Sequence, residues 1–290
     1  MLVRVVRSRL FGAVVAAFAA VGMTVAAAPA QAASSTSSAS SVGSVAGAND
    51  FSCRPSQAHP FPVVLVHGTF ANASSFGALS PQLANAGYCV FALNYGCQAL
   101  GPVVCATGPI EESAQQLSAF IDQVRAATGA SKVDIVGHSQ GGMMPRYYMR
   151  FLAGASRVHR LVGLAPSNHG TTLNGLQNLV SALSGVLNCD ACQQQLAGSA
   201  FLARLNAGAD TLPGVLYTVI ESRFDEVVTP FTSAFLTGPA VTNILLQNSC
   251  PLDLTGHLGI LVDPNAIGWV QNALDSRVPA PGCTPFLLSL

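Results

Sequence analysis

Short apolar runs rich in β-branched residues alternate along the chain with stretches of helical spacing. The runs are almost continuously hydrophobic, which indicates strands that are buried on both faces. Residues 111–127 form a predicted helix with acidic residues in its first turn and Gly129 just past its end. This alternation predicts an α/β fold with a mostly parallel central sheet flanked by helices. The predicted strands are residues 63–66, 89–93, 133–136, 158–164 and 215–220.

Residues 1–32 have the layout of a cleavable export signal. Arg4, Arg7 and Arg9 precede an apolar, alanine-rich run that closes with two tandem small-x-small sites. We predict cleavage after Ala32 by the general secretion route, because the chain has no adjacent arginine pair here. A membrane anchor is the alternative, since the run is nearly as long as a bilayer span, but Pro29 and the tandem sites favour cleavage. The protein is therefore expected to be secreted and extracellular, with no stable membrane anchor.

Composition limits the organisation and the partners of the remaining chain. Residues 33–49 are almost wholly Ser, Ala, Gly, Val and Thr, so they are predicted to be a flexible leader before a single domain at 50–290. Only 9% of residues are charged and 50% are hydrophobic, which is enough for a large core. Basic and acidic residues number 13 each, so no basic surface is available for nucleic acid. We expect a monomer.

Eight cysteines lie in the part of the chain that would be exported. An even number in an oxidising compartment predicts disulfides, although the sequence does not choose among the possible pairings. Proximity along the chain suggests Cys97 with Cys105 and Cys189 with Cys192. The second pair is a C-x-x-C, which could also indicate redox activity or zinc binding, but export favours a structural loop. The cysteines are at positions 53, 89, 97, 105, 189, 192, 250 and 283.

The segment Gly137-His138-Ser139-Gln140-Gly141 fits the pattern G-x-S-x-G. It lies between the predicted strand 133–136 and a helical pattern at 140–153, as in a nucleophile elbow. Such a turn holds the serine in a strained conformation with its hydroxyl exposed, and the small glycines allow strand and helix to approach closely. Ser139 is therefore the candidate nucleophile. The alternative is an ordinary serine in a glycine-rich turn.

A serine hydroxyl needs a base, and His257 is the candidate. In α/β-hydrolases the chain order is nucleophile, acid and histidine, and His257 comes late enough to follow an acid. Its flanking glycines suit an active-site loop. His159 lies in a predicted strand and is expected to be structural, whereas His169 precedes the candidate acid and could line the pocket.

Asp225 is the candidate acid because it follows the predicted strand 215–220, where the crevice of an open α/β sheet lies. A carboxylate there would fix the tautomer of the histidine and stabilise the imidazolium. Glu226 is the alternative, since a shifted strand register would present it instead. Asp210 and Asp253 are expected to be solvated loop residues or turn caps.

The first predicted strand ends in a His67-Gly68 turn, and the next residue, Thr69, can offer its backbone N–H to an oxyanion. The backbone N–H of Gln140, directly after the nucleophile, would be the second donor. We therefore predict an oxyanion hole formed by Thr69 and Gln140, with the Thr69 hydroxyl as a candidate third donor. His67 is expected to shape the loop.

Five segments of the chain together form a recognisable set. They are Val-His-Gly-Thr-Phe, Gly-His-Ser-Gln-Gly-Gly-Met-Met-Pro-Arg-Tyr, Leu-Ala-Pro-Ser-Asn-His-Gly-Thr-Thr, Phe-Asp-Glu-Val-Val-Thr-Pro and Cys-Pro-Leu-Asp-Leu-Thr-Gly-His. With these segments the chain resembles the secreted class 2 lipases of actinomycetes. The resemblance covers roughly residues 53–283. A more distant likeness is to the fungal lipase B type, which shares the Ser-Gln-Gly elbow but has Pro-Gly where this chain has His-Gly.

The resemblance implies an α/β-hydrolase fold, carboxylic-ester hydrolysis, and Ser139, Asp225 and His257 as the catalytic triad. Hydrolysis by such a triad requires no metal or organic cofactor. It also implies disulfides between Cys53 and Cys89 and between Cys250 and Cys283. The substrate would be a lipid or other ester, including one at an oil–water interface. We expect a triacylglycerol lipase, with a short-chain esterase or a polyester depolymerase as the alternative. An acyltransferase and a non-catalytic binding module rank lower.

Residues 173–187 lie in an unusually long connection between predicted strands. Apolar residues recur there at steps of three and four, opposite an uncharged polar face, which predicts an amphipathic helix. One interpretation is a helix that caps the sheet. The other is an acyl-pocket wall or lid that meets a lipid surface.

Overall fold

The structure is a computed structural model, and it describes residues 44–98, 103–176, 178 and 188–288. Six parallel strands form one sheet in the order β2-β1-β3-β4-β5-β6. This confirms the predicted parallel α/β architecture. The strands are β1 (Val63–Val66), β2 (Val90–Leu93), β3 (Val133–His138), β4 (Val158–Leu164), β5 (Leu216–Glu221) and β6 (Val241–Leu245).

Helices cover both faces of this sheet. The longest, α2, ends where Gly129 adopts a left-handed conformation with φ of 73°, as the sequence predicts. The helices are α1 (Leu79–Asn85), α2 (Ile110–Thr128), α3 (Gln140–Phe151), α4 (Asp190–Gln194), α5 (Ala200–Leu205), α6 (Leu246–Ser249) and α7 (Pro264–Leu274).

Alternate residues of each strand contribute to two hydrophobic layers. In β1, Val64 and Val66 face a core that includes buried residues of α2 and α3, whereas Val63 and Leu65 face one that includes residues of α1 and α7. All four side chains of β1 are buried. This two-sided burial explains why the strand sequences are continuously apolar rather than alternating.

Strand β6 was not predicted from the sequence. It lies at the edge of the sheet, where it pairs only with β5 among the described strands. Thr242 and Asn243 are exposed. An edge strand with an exposed face lacks the continuous apolar run that marks the central strands, so its sequence carries a weaker signal.

The packed structure begins earlier than the predicted boundary at residue 50. Val45 and Ala48 pack against the core layer that contains α1. The Asn49 side chain accepts a hydrogen bond from Ala92 N–H at 2.9 Å and donates to Ala92 O at 2.8 Å, beside the exposed edge of β2. These contacts lie within the stretch 33–49 that is predicted to be a flexible leader, and they cover a sheet edge that would otherwise be unpaired. Residues 1–43, including the predicted export signal, lie outside the described residues.

The eight cysteines form four disulfides. Cys97 bonds to Cys105 and Cys189 to Cys192, the two pairs that proximity suggests. The remaining pairs, Cys53 with Cys89 and Cys250 with Cys283, are those that the resemblance implies. The first of these ties the N-terminal segment to the start of β2, and the second ties α6 to the C-terminal tail.

Most of the predicted amphipathic helix at 173–187 lies outside the described residues. Its first residues, Leu173–Gly175, form a short 3₁₀ turn in which Asn174 has a positive φ of 54°, and Leu176 is exposed. Within the described part of the chain, no helix is long and apolar enough to span a membrane. Nor do its His, Cys, Asp and Glu side chains form a group of three or more that could hold a metal ion.

Candidate active site

Ser139 occupies a strained turn at the carboxyl end of β3. Its backbone has φ of 55° and ψ of −124°, a region that a residue with a side chain rarely adopts, and α3 begins at the next residue. The Ser139 N–H donates to Leu164 O of the neighbouring strand at 2.9 Å. Ser139 as a whole residue is only 7% exposed. This is the geometry of the predicted nucleophile elbow.

Two glycines allow the strand and the helix to meet at this turn. A Cβ on Gly141 would overlap the carbonyl oxygens of Val66 and His67, and a Cβ on Gly137 would overlap the carbonyl of Gly141. A larger residue at either position would push α3 away from the sheet. The G-x-S-x-G spacing is therefore dictated by packing as well as by chemistry.

Asp225 and His257 form a buried hydrogen-bonded pair. Asp225 lies on the loop after β5, and its Oδ2 is 2.8 Å from His257 Nδ1. The other carboxylate oxygen, Oδ1, accepts the backbone N–H groups of Val227 and Val228 at 2.8 and 2.7 Å. Among the described residues, His257 Nε2 has no hydrogen-bond partner. The imidazole thus has one nitrogen held by the acid and the other free to exchange a proton.

His138 connects the histidine loop to the nucleophile elbow. Its Nε2 is 2.9 Å from His257 O, and the two ring centroids are 4.7 Å apart. Burial, and then the nearby His257, lower the pKa of His138 to about 3. A neutral ring must donate its Nε2 hydrogen to that carbonyl, so His138 holds the loop of His257 beside Ser139.

Two further carboxyl groups lie close to Asp225. Glu226 accepts the His257 backbone N–H at 3.3 Å through Oε2, so it contacts the histidine backbone rather than the ring, and burial raises its pKa. Glu221, the last residue of β5, is completely buried. Burial and the neighbouring Asp225 raise the pKa of Glu221 well above its usual range. Sequence reasoning missed Glu221, although its position directly after an apolar run is a signal that could have indicated it.

Thr69 and Gln140 lie together on the other side of Ser139. A Cβ on Gly68 would be 3.0 Å from Ser139 Cβ, so the turn after β1 lies directly against the nucleophile. Gln140 is the first residue of α3, and such an amide has no acceptor within its own helix. The Thr69 hydroxyl, which we considered as a third oxyanion donor, instead donates to Gln140 Oε1 at 2.6 Å. The turn that carries Thr69 thus lies against Ser139, and Gln140 follows Ser139 directly; their role as an oxyanion hole stays a prediction.

A second glutamine contacts Thr69 and Gln140, and sequence reasoning did not indicate it. Gln195 follows α4, and its Nε2 is 2.9 Å from Thr69 Oγ1 and 3.0 Å from Gln140 Oε1. No motif in the sequence connects a residue so far along the chain with these two.

The other candidate residues lie elsewhere or serve the packing. His67 is completely buried, stacks on Tyr95 at 4.5 Å and has a pKa lowered to about 4 by burial, in line with a loop-shaping role. His159 Nδ1 is 2.8 Å from Asp134 Oδ1, near the amino ends of β4 and β3, whereas Ser139 follows the carboxyl end of β3. His169 contacts Asp210 at 3.1 Å.

Asp253 and Asp263 form a buried acidic pair on either side of His257. Asp253 Oδ1 accepts the Thr255 N–H at 3.0 Å, and Asp263 Oδ1 accepts the Asn265 N–H at 2.9 Å. Asp263 Oδ2 is buried without a partner among the described residues. Burial, with a contribution from Asp253, raises the pKa of Asp263 from 3.8 to about 7. Asp253 is therefore a buried turn cap, the second of the two roles expected for it, and supports the loop of His257.

The Asp263→Asn variant is expected to be more stable than the wild type at pH 8. Because the folded-state pKa of Asp263 is raised, its neutral form stabilises the fold below pH 3.8, and this contribution is lost as the pH rises through about 7. Asparagine keeps the capping oxygen for the Asn265 N–H and supplies a neutral donor toward Asp253. Melting temperatures measured from pH 4 to pH 9 should diverge in favour of the variant as the pH rises. Parallel curves would contradict the prediction.

An open parallel sheet with Ser139 after β3, Asp225 after β5 and His257 after β6 defines an α/β-hydrolase. A family model described as Lipase (class 2) matches residues 60–263, and the chain belongs to this family.

Two sequence relatives are described as triacylglycerol lipases. The protein from Pseudarthrobacter phenanthrenivorans is 39% identical over 93 residues, which are 30% of this chain and 27% of that relative. The one from Pseudomonas fragi is 27% identical over 158 residues, covering 53% of this chain and 50% of the relative. The chain thus spans between about a quarter and a half of the length of these two relatives.

Solved structures support the same fold. Aspergillus fumigatus lipase B aligns with a TM-score of 0.63 and 24% identity, over 79% of this chain and 57% of that one. The mature form of Bacillus licheniformis lipase BlEst2 aligns with a TM-score of 0.58 and 19% identity, over 76% of this chain and 94% of that one. At these identities the likeness shows the α/β-hydrolase fold.

Proposed function

We propose that this protein is a secreted triacylglycerol lipase that uses Ser139, His257 and Asp225 as its catalytic triad. The observation that carries the proposal is the buried Asp225–His257 hydrogen bond of 2.8 Å, with the free Nε2 of His257 on a loop that His138 holds beside the strained Ser139. Membership of the class 2 lipase family and the relatives described as triacylglycerol lipases support the choice of ester hydrolysis.

The mechanism follows from these positions. His257 takes the proton of the Ser139 hydroxyl as Oγ attacks the ester carbonyl, and Asp225 stabilises the imidazolium that forms. The backbone amides of Thr69 and Gln140 hold the oxyanion. His257 then gives the proton to the leaving alcohol, which produces an acyl-enzyme. Water, deprotonated by His257, attacks the acyl-enzyme and releases the carboxylic acid with regeneration of Ser139.

Exposed leucines near the histidine loop favour a lipid substrate over a small soluble ester. Leu252 is 66% and Leu287 is 76% exposed, and Leu254 is also exposed. Leu254 N–H donates to Phe286 O at 2.8 Å, so the segment that carries Leu287 lies beside the segment that carries Leu252 and Leu254, which precedes His257. We take these exposed apolar side chains as part of a surface that meets lipid.

The test is hydrolysis of a p-nitrophenyl ester series from C4 to C18 and of emulsified triglyceride, with Ser139→Ala as the control. The full chain would be expressed with its export signal and purified from the medium. Cleavage of long-chain and emulsified substrates by the wild type alone would support the lipase. Cleavage of short soluble esters alone would indicate an esterase instead. If the folded wild type cleaves none of these esters, ester hydrolysis is wrong, and acyl transfer or binding must be considered.

Secretion is proposed on separate grounds. The export-signal pattern at 1–32 predicts it, and the four disulfides are typical of an oxidising compartment. We expect the protein recovered from the culture medium to begin at Ala33. Mass spectrometry of the intact protein would check this. Recovery of the uncleaved chain in the membrane fraction would indicate the anchor instead.

A further inference from the structure

The side chain of Gln195 links four separate segments around the candidate oxyanion hole. Its Nε2 is 2.9 Å from Thr69 Oγ1, 3.0 Å from Gln140 Oε1 and 3.0 Å from Ala191 O. Its Oε1 is 2.8 Å from Ser167 Oγ. Gln195 is only 7% exposed, so these contacts are made largely out of water.

The directions of these hydrogen bonds are fixed by the chemistry of the partners. Ala191 O can only accept, so the Gln195 atom that faces it must be the amide nitrogen. One hydrogen of this nitrogen donates to Ala191 O, and the other is shared between Gln140 Oε1 and Thr69 Oγ1, which lie 3.0 and 2.9 Å away. Since Thr69 Oγ1 accepts from Gln195, the hydroxyl hydrogen of Thr69 is directed to another acceptor, which is Gln140 Oε1 at 2.6 Å.

We propose that Gln195 is a positioning residue that holds the Thr69 hydroxyl at the oxyanion hole and allows its hydrogen to turn toward the oxyanion during the reaction. This inference rests on the proposed function. When the oxyanion forms, the Thr69 hydroxyl can rotate away from Gln140. Gln140 Oε1 then keeps its hydrogen bond from Gln195, so the rotation leaves no buried acceptor without a partner.

The surroundings of Gln195 hold it in place before substrate binds. Its backbone N–H donates to Ala191 O at 3.1 Å, and its backbone carbonyl accepts the Thr171 N–H at 3.0 Å. The Cys189–Cys192 disulfide constrains the short helix that precedes it. A donor that is already oriented needs no reorganisation when charge develops, which is the basis of electrostatic catalysis.

The experiment measures kcat and KM with p-nitrophenyl butyrate for Gln195→Leu, Thr69→Val and the double variant. We expect Gln195→Leu to lower kcat about 10-fold with KM changed less than about twofold, because the interaction gained is specific to the transition state. Thr69→Val should lower kcat at least as much. The double variant should be no worse than Thr69→Val, because Gln195 acts through the Thr69 hydroxyl. Thr69→Ser, which keeps the hydroxyl, should retain most of the activity.

Gln194→Leu is the matched control. Gln194 is the neighbouring glutamine, but its side chain accepts the Ile110 N–H at 2.7 Å and donates to Glu111 Oε2 at 2.6 Å, at the start of α2. This variant should keep the wild-type kcat. A second readout is the affinity for a boronic acid that forms a tetrahedral adduct with Ser139. This affinity should fall in parallel with kcat in Gln195→Leu.

A Gln195→Leu variant with the wild-type kcat and boronate affinity would overturn the inference. A double variant whose loss of kcat equals the product of the losses in the two single variants would overturn it too. Active-site titration corrects for any unfolded fraction, and Gln195→Met, of nearly the same length, repeats the test if the leucine variant is unstable. If active-site titration detects no functional active sites in either variant, Gln195 is structural and the inference is wrong. Retention of activity in Ser139→Ala would instead overturn the proposed function itself.

Discussion

The Asp225→Asn variant is expected to lose about 10⁴-fold in kcat/KM for ester hydrolysis while keeping its fold. Asp225 Oδ1 accepts two backbone N–H groups, from Val227 and Val228. The amide oxygen of asparagine must take that position, which leaves its NH₂ group facing His257 Nδ1. That nitrogen must then accept, so the hydrogen moves to Nε2 and the ring can no longer take a proton from Ser139.

Glu226→Gln is the matched control for this prediction. Glu226 is the adjacent acid and contacts only the backbone N–H of His257, through an oxygen that glutamine retains. We expect its kcat/KM to remain within about 10-fold of the wild type, since no hydrogen bond to the ring is lost. Both variants would be compared with p-nitrophenyl butyrate after circular dichroism has established that they are folded. A larger loss in Glu226→Gln than in Asp225→Asn would identify Glu226 as the acid and contradict the proposed triad.

Replacement of Gly141 by alanine is expected to abolish the native fold. The added methyl group would overlap the carbonyl oxygens of Val66 and His67, at the end of a completely buried strand. Backbone atoms in the centre of a sheet cannot move aside as a flexible side chain can. We expect a loss of more than about 4 kcal/mol in the free energy of unfolding, which is a large part of the stability of an ordinary domain.

Gly282→Ala provides the comparison, because no atom lies within 4 Å of a Cβ placed there. Its melting temperature should match that of the wild type to within about 2 °C, as for a surface change of a few tenths of a kcal/mol. Soluble yield and thermal unfolding would be measured for both variants. A well-folded Gly141→Ala protein with a normal melting temperature would contradict the close approach of α3 to β1.

The central strands and the elbow could be predicted because local sequence determines them. Strands buried on both faces must be continuously apolar, and the turn at Ser139 requires small residues at fixed spacing. The edge strand β6 escaped prediction because Thr242 and Asn243 face solvent. The catalytic roles of Ser139, Asp225 and His257 stay predictions that the variants above will test.

Hydrogen bonds between segments far apart in the chain could not be predicted from the sequence. Gln195 meets Thr69 across 126 positions of the chain, and neither residue has a neighbour that indicates the other. The partners of Asn49 on β2 are a similar case, since a polar residue in a Ser/Ala-rich leader has no apolar pattern around it. Such hydrogen bonds depend on the tertiary arrangement, which propensity and periodicity do not encode.

The tail that supports His257 has a consequence for how the histidine loop is held. Residues 284–288 bond to Asn265, Leu254 and Gly256, and the Cys250–Cys283 disulfide joins the two segments. The loop of the candidate base is thus fastened by a covalent bond, so its position depends on the redox state of the surroundings as well as on packing.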